Sequence, residues 1–141
     1  MKRLYLLVAC LALVPLLARA EASNYCLWML LVDTHAVAMH CGQPLSPAAE
    51  QRYHQLRQAA DEEMVRDARL SPGGSPEKVK TFMTNYMSRG MSVGAGFPGY
   101  CASRDAPMVL RMLGSFTSKE NTAKILAGLL IRKNPFDGDC L

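Results

Sequence analysis

Three titratable side chains, Asp33, His35 and His40, interrupt the apolar run CLWMLLVDTHAVAMHC between Cys26 and Cys41. On a helix Asp33 and His40, seven apart, share a face, while His35 points away from Asp33. A carboxylate beside an imidazole suits general acid–base chemistry. No nucleophile or metal constellation accompanies the pair, so no catalytic residue is assigned and the chain is expected not to be an enzyme. Asp33 is expected to accept from a helix end or an Arg of a neighbouring helix, because a charge stranded in a dry core is costly.

Methionine offers a second chemistry. Eight remain once Met1 leaves with the N-terminal segment, and Met83, Met87 and Met91 follow at four-residue spacing. His35 with Met39 and Met108 with Met112 repeat that spacing. Thioethers bind Cu(I), but methionine also fills irregular helical cores, and these positions lie on apolar stripes. No metal ligand or cofactor is therefore assigned. Gly94, Gly96 and Gly99 match the G-x-G-x-x-G string of dinucleotide-binding folds, which needs a strand before it and a helix after it. Here a helix precedes it and Cys101 follows, so the match is expected to be fortuitous. Asp61-Glu62-Glu63 reads as a solvated helix face rather than a cation site.

Those side chains depend on where the chain is stapled. Lys2 and Arg3, an apolar stretch from Leu4 to Leu17 and the small-x-small Ala18-Arg19-Ala20 form the pattern of a signal peptide over residues 1–20. The mature domain would be residues 21–141, exported to the periplasm or secreted, with no stable membrane span. Its loss takes Lys2, Arg3 and Arg19, leaving 13 basic against 12 acidic residues. A domain of net charge +1 has no electrostatic footprint for nucleic acid.

Cys26, Cys41, Cys101 and Cys140 then form an even set, read as two disulfides. If the run from Cys26 to Cys41 is one helix, its ends lie about 22 Å apart at 1.5 Å per residue, and a disulfide spans at most about 7 Å between Cα atoms. Cys26 and Cys41 therefore bond elsewhere, as 26–101 with 41–140 or as 26–140 with 41–101. An up-and-down run of helices favours the second, because the third helix then ends level with Cys41.

The remaining elements follow from caps and stripes. Ser46-Pro47 opens a long helix with Tyr53, Leu56, Ala60 and Met64 inward and the pairs Arg57–Asp61 and Glu62–Arg66 on the wet side. Ser71-Pro72-Gly73-Gly74 ends it. Ser75-Pro76 opens a third, with Val79, Phe82, Met83, Tyr86 and Met87 inward and Gly90 as its stop. Ser103, Asp105 and Pro107 begin a fourth with Met108, Val109, Met112, Leu113 and Phe116 inward, expected to be cut short near Gly114 and Ser115. Thr117-Ser118-Lys119-Glu120 fits a capping box for a fifth, carrying Ile125, Leu126, Leu129 and Leu130 and ending before Asn134-Pro135. The fold class is thus all-α: one domain of about five helices around the central apolar one, stapled by two disulfides.

These motifs identify no family. The reading of function is a non-enzymatic exported domain that binds another protein, as an inhibitor, immunity or accessory factor. Met91, Val93, Phe97 and Tyr100 are its expected contact residues, since long glycine-rich connections in compact domains tend to be functional. The alternatives are a carrier of a small apolar ligand and a periplasmic copper-binding protein using Met and His side chains.

Overall fold

The computed structural model describes residues 24–70, 74–88 and 99–129, and all regular structure among them is helical. The expected signal peptide, the contact residues Met91, Val93 and Phe97, and Cys140 lie outside the described residues. Five α-helices are described: α1 Asn24–His40, α2 Pro47–Leu70, α3 Pro76–Ser88, α4 Asp105–Phe116 and α5 Lys119–Leu129. A 3₁₀ turn, Tyr100–Ala102, precedes α4.

Serine starts four of them, as its short side chain accepts from a first-turn amide that has no partner within the helix. Ser46 Oγ accepts from the Ala49 N–H at 3.4 Å, Ser75 Oγ from Lys78 at 3.3 Å, and Ser103 Oγ from Ala106 at 3.4 Å. At α5 the cap is Ser118, which accepts from Asn121 at 3.3 Å; the expected capping box placed it one residue earlier, at Thr117. That hydroxyl is committed to the helix before, donating to the Leu113 carbonyl at 2.9 Å. α4 also runs through Gly114 and Ser115 to Phe116, longer than expected, because an isolated glycine weakens a helix by only about 1 kcal/mol. α1 closes with Gly42 at φ 63°. The Gln43 amide reaches the Ala38 carbonyl at 2.9 Å and the Gly42 amide the Met39 carbonyl at 3.2 Å, a paired helix end that favours glycine.

α1 packs against α2 and α4, and α2 packs in turn against α3 and α5. Trp28, Leu31, Leu56, Met64, Leu113 and Leu129 are all but sealed from solvent. Truncating any of these aliphatic side chains to alanine costs about 2–5 kcal/mol. The α2 stripe is inside as expected, with Tyr53, Leu56, Ala60 and Met64 buried. The α3 stripe is not: Val79 and Met83 are buried, but Phe82 and Met87 are exposed. Met108 on α4 is also turned outward. Periodicity fixes which residues share a face, while the neighbours set how wide a strip of that face is covered.

Cys41 is bonded to Cys101, with Cα atoms 5.4 Å apart, which ties the end of α1 to the turn before α4. Cys26 is buried and disulfide-bonded.

Candidate functional site

Trp28, the only tryptophan in the chain, occupies the seam between α1 and α2 and has no exposed surface. A buried indole needs an acceptor for its N–H, and Trp28 Nε1 donates to Asp61 Oδ1 at 2.6 Å. Asp61 also receives two bonds from Arg57 one turn earlier, Nε to Oδ1 at 3.2 Å and Nη2 to Oδ2 at 3.3 Å. The guanidinium carbon stands 5.5 Å from the centre of the Trp28 ring, within cation–π range. The Arg57–Asp61 pair expected on the wet side therefore lies at the edge of the seam, with Asp61 still partly in solvent, and Asp61 is not part of a purely solvated face. Neither is Glu63, which is buried and paired with Arg66, the residue expected to bond Glu62. Glu62 instead accepts from Gln58 Nε2 at 2.9 Å.

A second set adjoins the first. The His35 ring lies flat on Tyr53, with centroids 3.9 Å apart and planes 7° from parallel. Its Nε2 sits 2.9 and 3.2 Å from the two oxygens of Glu50, and His54 Nε2 approaches the first of these at 3.3 Å. Burial pushes the Tyr53 phenol above its ordinary pKa, against the opposing pull of Arg57. Burial lowers Arg57, but the hydrogen bond and charge of Asp61 outweigh it and leave the guanidinium raised.

Asp33 accepts from the Tyr86 hydroxyl of α3 at 3.0 and 2.8 Å, where the sequence suggested a helix end or an arginine. His40 is exposed at the far end of α1. Asp33 and His40 therefore occupy different surroundings, and the arrangement does not assemble an acid–base pair from them. Of the methionines at helical spacing, Met83 is buried, Met112 half-buried, Met39 and Met108 exposed, and Met87 accepts from Arg57 through sulfur at 3.1 Å. Among the described residues no three His, Cys, Asp or Glu side chains form a group suited to hold a metal ion.

Two of the clefts that border α3 are lined by apolar or aromatic side chains of that helix. One, of about 420 Å³, is lined by Tyr25, Lys78, Val79 and Phe82. The other, of about 240 Å³, has Val32 and Ala36 of α1 on one wall, Tyr86 and Met87 of α3 on the other, and is completed by His35, Tyr53 and Arg57. Of the expected contact residues, Tyr100 is half-buried in the 3₁₀ turn beside the exposed Cys101. Sequence reasoning missed Glu50, His54 and Tyr86 as partners. The i,i+4 spacing of Glu50 and His54 was a local signal, whereas Tyr86 lies 53 residues from Asp33 and left none. Neither a family model, nor a curated protein, nor a solved structure matches this chain.

Proposed function

We propose that this chain is an exported, non-enzymatic helical domain that binds another protein, and that α3 and these two clefts form the face it presents. One observation carries the reading. α3 is buried at Val79 and Met83 alone, while Phe82 is 38% and Met87 44% exposed on either side of that strip. Apolar side chains left beside open clefts are the usual material of a contact site. Met91, Val93, Phe97 and Tyr100, which come after α3 in the chain, are retained as proposed contact residues alongside this face. Export is supported by the N-terminal pattern of a charged start, an apolar run and Ala18-Arg19-Ala20, and by the Cys41–Cys101 bond, which suits an oxidising compartment. We pair Cys26 with Cys140 as the second staple of a bundle built around α1. Among the described residues no helix is long and apolar enough to cross a membrane.

The test is capture of one dominant partner by the mature chain, repeated with Met87→Ser and with Phe82→Ala. The Phe82 ring lies 5.6 to 6.0 Å from those of Tyr25, Trp28 and Tyr86, so its removal is expected to lower the melting midpoint somewhat. Met87→Ser should leave the midpoint nearly unchanged while weakening capture. Undiminished capture by both folded variants would exclude this face. A second reading, a carrier of a small apolar ligand, is favoured by the 420 Å³ cleft, a volume within the usual range for small-molecule sites. Native mass spectrometry of protein from its own compartment, showing a bound small molecule and no partner, would replace the first reading with the second.

A further inference from the structure

We infer that Met87 is a site of reversible sulfoxide formation, with the sulfoxide oxygen received by the Arg57 guanidinium. Three methionines among the described residues are exposed, Met39 at 58%, Met108 at 56% and Met87 at 44%. Met64 and Met83 are buried in the core. Among the described residues, only Met87 of the exposed three has a cationic donor against its sulfur, Arg57 Nη2 at 3.1 Å.

A thioether is a weak acceptor. A sulfoxide oxygen is a much stronger one, and a bond to it from a guanidinium is charge-assisted. The donor is also fixed in place: Asp61 holds Arg57 through Nε and Nη2, and the guanidinium rests over the Trp28 ring.

The step needs a hydroperoxide as oxidant. The sulfur lone pair attacks the terminal peroxide oxygen, the O–O bond breaks and an S–O bond forms. Sulfur loses two electrons, and the peroxide is reduced to an alcohol, or to water from hydrogen peroxide, as its hydroxyl proton passes to the departing oxygen. The same oxidation at Met64 or Met83 would push a polar oxygen into the core. At Met87 the oxygen meets Arg57 and solvent, and the cleft between α1 and α3 gains a polar acceptor on its α3 wall. Methionine sulfoxide reductases reverse such a change. The inference concerns the chemistry of the side chain and stands whether or not the cleft takes a partner.

The test uses the mature chain carrying Met39→Leu, Met91→Leu and Met108→Leu, treated with limiting hydrogen peroxide and followed by peptide mapping and thermal melts. Met87 should convert before Met64 and Met83, and the oxidised protein should melt no earlier than the untreated one. In an added Arg57→Gln background the same conversion should lower the midpoint. Conversion of Met87 only together with the core methionines, or an equal loss of midpoint in both backgrounds, would overturn the inference. Should Arg57→Gln not fold, the Arg57 guanidinium resonances decide. A shift on oxidation of Met87 supports the contact, and an unchanged spectrum at full conversion refutes it.

Discussion

Replacing Asp61 by alanine tests the seam between α1 and α2 at its most connected point. The change strands the Trp28 indole N–H, which has no access to water, and an unsatisfied buried donor costs about 1–3 kcal/mol. It also removes the counter-charge of Arg57, whose side chain is 16% exposed. Breaking a buried ion pair costs about 3–5 kcal/mol, but the Asp61 side chain is 37% exposed, so screening by water reduces that figure considerably. Together these set the expected loss at about 2–4 kcal/mol. Asp61→Asn keeps an oxygen for the indole and removes only the charge, and should lose about 1–2 kcal/mol. Urea unfolding followed by the fluorescence of the single tryptophan measures both, and each kcal/mol should appear as about 3–6 °C in a thermal melt of a domain this size. A loss below about 0.5 kcal/mol for the alanine variant, the usual scale of an inert surface change, would refute the reasoning. Equal losses for the two variants would refute the part assigned to Trp28.

Two further outcomes follow from neighbouring features. Burial raises the Tyr53 phenol above its ordinary pKa of 10.0, so the folded state keeps a proton that the unfolded state releases. The associated stability is whole below pH 10.0 and is lost as pH rises through the folded value; denaturation at a series of alkaline pH values should show this decline, and Tyr53→Phe should remove it. The Cys41–Cys101 bond spans a sequence separation of 60, which corresponds to about 4 kcal/mol of loop-closure entropy. Replacing both cysteines with serine should lower the denaturant midpoint accordingly, and an unchanged midpoint would show that the helices hold without the staple.

Helix positions were legible because their signals are local. Ser46-Pro47 and Ser75-Pro76 declare starts through one side chain and one fixed φ, whereas the left-handed Gly42 that closes α1 came to light only in the structure. The inward stripe of α2 was legible for the same reason. The seam was not, because its bonds join distant segments: Trp28 to Asp61 across 33 residues and Tyr86 to Asp33 across 53. Seen from α2 alone, Arg57 and Asp61 are an ordinary exposed pair one turn apart. The sequence contains an indole that must find an acceptor, but nothing local says which carboxylate meets it. Phe82 and Met87 were misplaced for a related reason, since an apolar stripe shows what a helix can bury and not how much its neighbours cover.

The thin anchorage of α3 bears on how the molecule moves. Global unfolding exposes Leu31, Leu56 and Leu113 together, but lifting α3 away exposes Val79 and Met83, uncovers the side of Trp28 that meets Phe82 and Tyr86, and breaks the Tyr86–Asp33 hydrogen bonds. Elements with few buried apolar contacts open at a fraction of the global free energy. The amides of α3 should therefore exchange with solvent deuterium through a local opening that leaves α1 and α2 protected, so that this face can rearrange while the rest of the domain stays folded.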